Sequence, residues 1–258
     1  MKQRLSALLV SCPFFAAGAG WSSAAVAGPV LGQGTWQTTL QPRDLNVDGT
    51  VDAFYDVQLN ITWLRDANVR GPMNWASASQ WASSLVFGSL SDWRLPTMVD
   101  TMVGDCFWSY SGGSDCGYNV PTKSGPIVYS ELAHLYYDTL GNKAACDPVK
   151  STPTKCSIQP GFGLTNSGDF LNLRAHDRYW TGLQYEQHAT HAWTFWNDAG
   201  SQSGDEKSHL FYAMAVRDGD VRSVPEPSTQ ALAAIGLLAA VCLRRRSVAA
   251  LRSRPERG

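Results

Sequence analysis

Asp44, Asn46, Asp48 and Asp52 occupy the first, third, fifth and ninth positions of a short run with Gly49 sixth, the spacing of oxygen ligands in a loop that wraps calcium. The twelfth position holds Tyr55 where a bidentate Glu is expected, and no flanking helices are legible. A turn in which Asx side chains bond their own backbone is therefore the competing reading. Asn197 and Asp198 form a second oxygen pair suited to calcium, against an ordinary strand-to-turn ending with Gly200. Glu186, His188 and His191 could supply metal ligands, yet His-Glu-x-x-His is absent, and a solvated polar loop competes. No Gly-x-Ser-x-Gly elbow marks a nucleophilic serine. Arg94 offers a fork of donors that can grip an acidic sugar, or pair with a carboxylate and pin the chain. Trp108, Tyr110 and Tyr118 supply ring faces on which a pyranose can stack, with simple packing as the alternative.

The elements that must position these residues follow from local patterns. Pro96 biases Leu95 away from helix, so Asp92 to Leu95 should be extended, with Trp93 and Leu95 on one face and Asp92 and Arg94 on the other. Thr97 and Asp100 have capping-box spacing and predict a short helix after it. Asn74 should cap a helix from Trp75 to about Phe87 with Trp75, Ala78, Trp81, Ala82 and Leu85 on one stripe, stopped by Gly88. Ser130 should cap a second, Glu131 to Leu140, stopped by Gly141, with His134 off the buried stripe and solvated. Strands are expected over Thr35–Leu40, up to Leu64, and at Arg178–Thr181, His191–Trp196 and Leu210–Arg217. Helices early and strands late indicate a single α+β domain.

Both ends read as targeting segments. Lys2 and Arg4, an apolar run from Leu5 to Ala17, and Ala25-Val26-Ala27 have the plan of a secretory signal peptide over residues 1–27. At the other end Val224-Pro225-Glu226-Pro227 precedes an apolar run from Ala231 to Leu243 and then Arg244-Arg245-Arg246. A helix over 229–243 is short against the roughly 30 Å hydrocarbon core and spans it with snorkelling arginines, which leaves a basic cytoplasmic tail at 247–258. Between the ends, residues 28–222 form an ectodomain with more Asp and Glu than Lys and Arg and no basic run. Nucleic acid is not an expected partner. Cys106, Cys116, Cys146 and Cys156 lie in this exported part, where disulfides are favoured over zinc. Three pairings are open, and the most economical joins Cys106 to Cys116 and Cys146 to Cys156.

The tail resembles the PEP-CTERM sorting signal, with Val224, Pro225, Glu226 and Pro227, the apolar helix and the arginine cluster in order over 223–246. The resemblance implies a Gram-negative type of bacterium that makes exopolysaccharide. It also implies a passage through the inner membrane and an exosortase partner that removes the tail and delivers the protein to the cell surface or matrix. Residues 50–222 resemble the Lcl C-terminal domain family through Asn60 to Asn68, Trp75, Ala78, Trp81, Asp92 to Thr97, Glu131-Leu132, Tyr179-Trp180-Thr181, Ala192-Trp193 and Tyr212 to Asp220. That likeness implies a fold similar to C-type lectins and formylglycine-generating enzymes, and adhesion or glycan binding for some members. It supplies no catalytic residues. Trp196-Asn197-Asp198 echoes a lectin calcium signature, without the companion Glu-Pro-Asn or Gln-Pro-Asp loop. The expected function is an exported module that binds extracellular polysaccharide in biofilm. A metal-assisted enzyme acting on matrix polymers and a purely structural surface module are the alternatives.

Overall fold

A computed structural model describes residues 27–101 and 106–221. The expected sorting motif Val224–Pro227, apolar helix 229–243, basic tail and all but the last residue of the expected signal peptide lie outside them. Among the described residues no helix is long and apolar enough to cross a membrane.

Ile61-Thr62-Trp63-Leu64 is a run of β-branched, aromatic and aliphatic residues, and all four are buried because both faces of this strand are covered. It is β3 in an antiparallel sheet of order β1-β2-β3-β10, with β1 at Leu40–Arg43, β2 at Ala53–Asp56 and β10 at Val216–Asp218. The outer edge is β1, where Pro42 lacks an N–H and blunts further strand addition. A second antiparallel sheet has the order β4-β9-β8-β7, from Gly117–Tyr118, Ser201–Glu206, His191–Trp196 and Arg178–Gln184. A small hairpin, β5 Lys123–Ser124 with β6 Ile127–Val128, stands apart. The result is a mixed α and β fold in which sheet dominates and helices are few.

Of the helices, α2 (Trp75–Ser84) follows its pattern: the Asn74 side chain accepts from the Ser77 N–H, and Ala78, Trp81 and Ala82 are buried. It ends three residues early, because the Leu85 N–H turns back to Ala82 and the chain forms a Phe87–Leu90 bridge around Gly88. The Trp75 indole donates to the Thr181 carbonyl and that of Trp180 to Met73, which fastens α2 to β7.

Several local expectations are corrected. The expected strand at Thr35–Leu40 is a one-turn helix, α1 (Trp36–Thr39), since the Thr35 carbonyl takes the N–H groups of Thr38 and Thr39; extension starts at Leu40. No helix begins at Thr97. Its N–H donates to Glu131 Oε2 at 2.7 Å and its carbonyl accepts from the Glu131 N–H, so residues 97–99 run extended beside Tyr129–Glu131. Asp92 is not extended, having φ of +64°. The second helix is one α-turn, α3 (Glu131–His134), capped by Ser130, followed by a π-turn over Leu135–Thr139. All four residues of α3 are enclosed, so His134 is buried too, meets Gln58 Oε1 at 3.0 Å and stands 2.9 Å from Asp138 Oδ2. Leu210–Arg217 is strand only from Val216, with Tyr212 contributing a bridge to Tyr179.

The largest apolar cluster fills the space beneath β2, β3 and β10 with Phe54, Trp63, Leu132, Tyr136, Tyr179, Phe195 and Met214. On the opposite face α2, Trp93, Leu95, Trp180 and Ala215 form another. Ala27 packs against the first cluster and its carbonyl accepts from Ser167 Oγ. Gly117 has no room for a side chain: with φ of +100°, a Cβ there would sit 2.2 Å from the Ser109 carbonyl oxygen.

Candidate functional site

Trp108, Tyr110 and Tyr118 lie in the first cysteine loop and are brought into one group. The Cys106–Cys116 disulfide closes the loop, and Ser109 binds both strands of it, with its N–H on the Cys116 carbonyl and its carbonyl accepting from Tyr118. Gly117 and Tyr118 then pair with Gln202 and Ser201, so β4 hangs the loop on the edge of the second sheet. Asn119, with φ of +53°, acts as a clamp: its Nδ2 donates to the carbonyls of Tyr110 and Cys146, while its N–H donates to the Tyr137 hydroxyl. The second loop, closed by Cys146–Cys156, touches the first through Pro153, whose carbonyl accepts from the Tyr110 N–H.

These constraints fix the three rings. Tyr110 and Tyr118 stack at 5.7 Å, and Trp108 stands edge-on to both, 5.5 Å from Tyr118 and 6.2 Å from Tyr110. Trp108 is 39% exposed and both tyrosines are half-buried, so the group presents ring surface to solvent while its lower edges are anchored. Burial pushes the Tyr118 phenol up, helped by Tyr110 and by the negative charge of Asp198. The hydroxyl therefore stays protonated and able to donate at neutral pH. Ring faces beside phenol hydroxyls suit a polyhydroxylated ligand, whose C–H face stacks and whose hydroxyls find a donor and acceptor.

The other residues singled out by type are occupied elsewhere. Arg94 gives Nη1 and Nη2 to the two oxygens of Glu131 at 2.8 and 2.7 Å, and Nη2 also reaches Asp218 Oδ1 at 2.6 Å. Its guanidinium is held well above its usual range by Glu131 and Asp218 against the cost of burial. It ties α3, β10 and the 92–97 segment together, and its fork is consumed. The Asp44–Asp52 run is a loop between β1 and β2, without helices. Asp44 accepts from the N–H groups of Val47, Asp48 and Gly49, Asp48 from Thr50, and Asp52 from Leu45, while Asn46 bonds Asp48. Asn197 is buried with Nδ2 on the Arg174 carbonyl, and Asp198 bonds His176 Nδ1 at 2.7 Å. His188 stacks on Tyr185 and leans against His191. Among the described residues no three His, Cys, Asp or Glu side chains converge to hold a metal.

Residues 223–246 match the PEP-CTERM protein-sorting motif. The tail is thus a sorting signal of the kind exosortase processes, and the chain is an exported protein sorted through the membrane toward the cell surface. No curated protein and no solved structure matches the chain.

Two features had no legible signal. The clamp role of Asn119 depends on a left-handed backbone between two disulfide loops. His176, the partner of Asp198, lies 22 residues away in a turn of unremarkable composition.

Proposed function

We propose that residues 28–222 form a single ectodomain, similar in arrangement to C-type lectins, that binds extracellular polysaccharide once exosortase has delivered it to the surface or matrix. The observation that carries this reading is the convergence of Trp108, Tyr110 and Tyr118 into one partly exposed, disulfide-anchored ring group. The likeness to the Lcl C-terminal domain family is supported by where its residues meet: Arg94 with Glu131, Tyr179 with Tyr212, and Trp81, Trp93 and Trp180 in one cluster. Those residues build a scaffold, and binding falls to the loops it carries. The test is an array of bacterial polysaccharides, including that of the producing organism, probed with the oxidised protein. Retention above background on at least one acidic or neutral polysaccharide is expected; background signal across the whole array contradicts the reading.

A further inference from the structure

A cleft of about 280 Å³ opens between α1 and the first sheet, lined by residues outside both cysteine loops. Its walls are mainly apolar, from Trp36, Leu40 and Phe54 among others, and its polar groups come from Gln37, Arg65 and Asp169. The walls are held open. The Trp36 indole donates to the Val30 carbonyl, and Phe54 is fixed edge-on against Phe170 at 5.1 Å, so neither ring is placed to collapse into the space. Arg65 is pinned by Nε on the Asp169 carbonyl and Nη1 on the Val51 carbonyl. Among the described residues its Nη2 donates to nothing, and the Asp169 carboxylate, exposed at the rim, accepts from nothing. Gln37 Oε1 accepts from the Gly32 N–H, which leaves its amide N–H₂ to donate.

We propose that this cleft binds one acetamido sugar residue. The volume falls just under the roughly 300–1,000 Å³ of drug-sized ligand sites, enough for a single monosaccharide unit and too small for a run of them. An acetamido group has three needs: a donor for its carbonyl, an acceptor for its N–H, and an apolar wall for its methyl. Arg65 Nη2 or the Gln37 amide meets the first, the Asp169 carboxylate the second, and the Trp36, Leu40 and Phe54 surface the third. A plain hexose leaves the apolar wall wet and offers only hydroxyls. A simple carboxylic acid would meet repulsion from Asp169. The choice of a sugar rests on the polysaccharide reading above, which it extends to a second, independent site.

The experiment titrates the full chain with N-acetylglucosamine and with glucose, followed by ligand-observed NMR. Asp169→Ala keeps the backbone carbonyl that holds Arg65 and removes only the free acceptor, so it leaves the fold intact. Binding of N-acetylglucosamine at least tenfold tighter than glucose is expected, with about a tenfold loss in Asp169→Ala, the size of one charge-assisted hydrogen bond. Arg65→Lys should lose a similar factor. Equal affinity for the two sugars, or unchanged N-acetylglucosamine binding in Asp169→Ala, overturns the proposal. Trp108→Ala separates the sites: it should leave N-acetylglucosamine binding unchanged while lowering polysaccharide retention. Failure of the monosaccharide titration with retention intact removes the cleft alone, and the reverse removes the ring group alone.

Discussion

Arg94→Met isolates the interaction on which the 92–97 junction depends. The Glu131 side chain is 5% exposed and takes two guanidinium hydrogen bonds plus the Thr97 N–H. Removing Arg94 strands that carboxylate with one neutral donor, and orphaning one member of a buried pair costs about 3–5 kcal/mol. Since the Arg94 side chain is 32% exposed, water already screens part of the attraction, and the lower end, about 3 kcal/mol, applies. Asp218, 77% exposed, is the control: Asp218→Ala should cost under about 1 kcal/mol. The double variant Arg94→Met with Glu131→Leu should be less destabilised than the sum of its parts by about 2 kcal/mol, because no buried charge is left behind. Urea unfolding followed by tryptophan fluorescence, with disulfides oxidised, reads these values. At a slope of about 2–3 kcal/mol/M the Arg94→Met midpoint falls by roughly 1–1.5 M. A shift no larger than that of Asp218→Ala, or strict additivity in the double variant, would refute the reasoning.

Asp56 is fully buried with Oδ1 accepting from Gln58 and Leu59, and burial raises its carboxyl above 3.8 despite those bonds and the charge of His134. The Trp63 indole approaches it and pulls the other way, but lacks hydrogen-bond geometry. The folded state therefore holds this proton more tightly than the unfolded chain, so its contribution is fullest below 3.8 and is lost as pH rises through the folded value. Asp56→Asn should flatten the decline in stability on going from about pH 4 to pH 7, measured by urea midpoints; an unchanged slope counts against it. Cys106→Ser with Cys116→Ser opens a loop of separation 10, as does Cys146→Ser with Cys156→Ser, and each pair should cost about 3 kcal/mol by loop entropy, read by calorimetry. The first pair alone should also abolish polysaccharide retention. Glu226→Ala should leave the tail uncut, and mass spectrometry of the mature wild-type protein should show Arg244–Arg246 removed; an intact wild-type tail contradicts exosortase processing.

What was legible in the chain was local and strongly typed. Asn74 before an amphipathic stripe, the apolar alternation of His191–Trp196, and the equal cysteine spacings each carry their own signal, and the structure has α2, β8 and both disulfides there. What was hidden depended on partners far along the chain. Strand β9, Ser-Gln-Ser-Gly-Asp-Glu, has no strand propensity and exists because β8 pairs with it through Asn197–Gly200, with Gln202 buried on Ser130 Oγ and the Asp115 carbonyl. Thr97 had a capping spacing, but the Glu131 carboxylate from another element took its N–H. His134 lies inside because α3 is enclosed on every face and Gln58, 76 residues away, meets its ring, against a helical projection that puts it in water. The ring group was visible as three aromatic residues in one loop, but its geometry came from Asn119 and the second disulfide loop. The cleft joins Trp36 to Asp169, a pairing that no local pattern announces.

The ring group carries the account, and Trp108→Ala tests it most directly. Trp108 leaves on the order of 100 Å² of ring exposed, from a side chain of roughly 250 Å² that is 39% exposed. Covering half of that with a sugar face contributes about 1.3 kcal/mol, close to tenfold in affinity. The measurement is retardation of the oxidised protein in gels containing the producer's own extracellular polysaccharide, wild type against Trp108→Ala. The account predicts that the wild type is retarded and that Trp108→Ala binds about tenfold more weakly with unchanged unfolding. Equal retardation of the two proteins, or none of either, would contradict it.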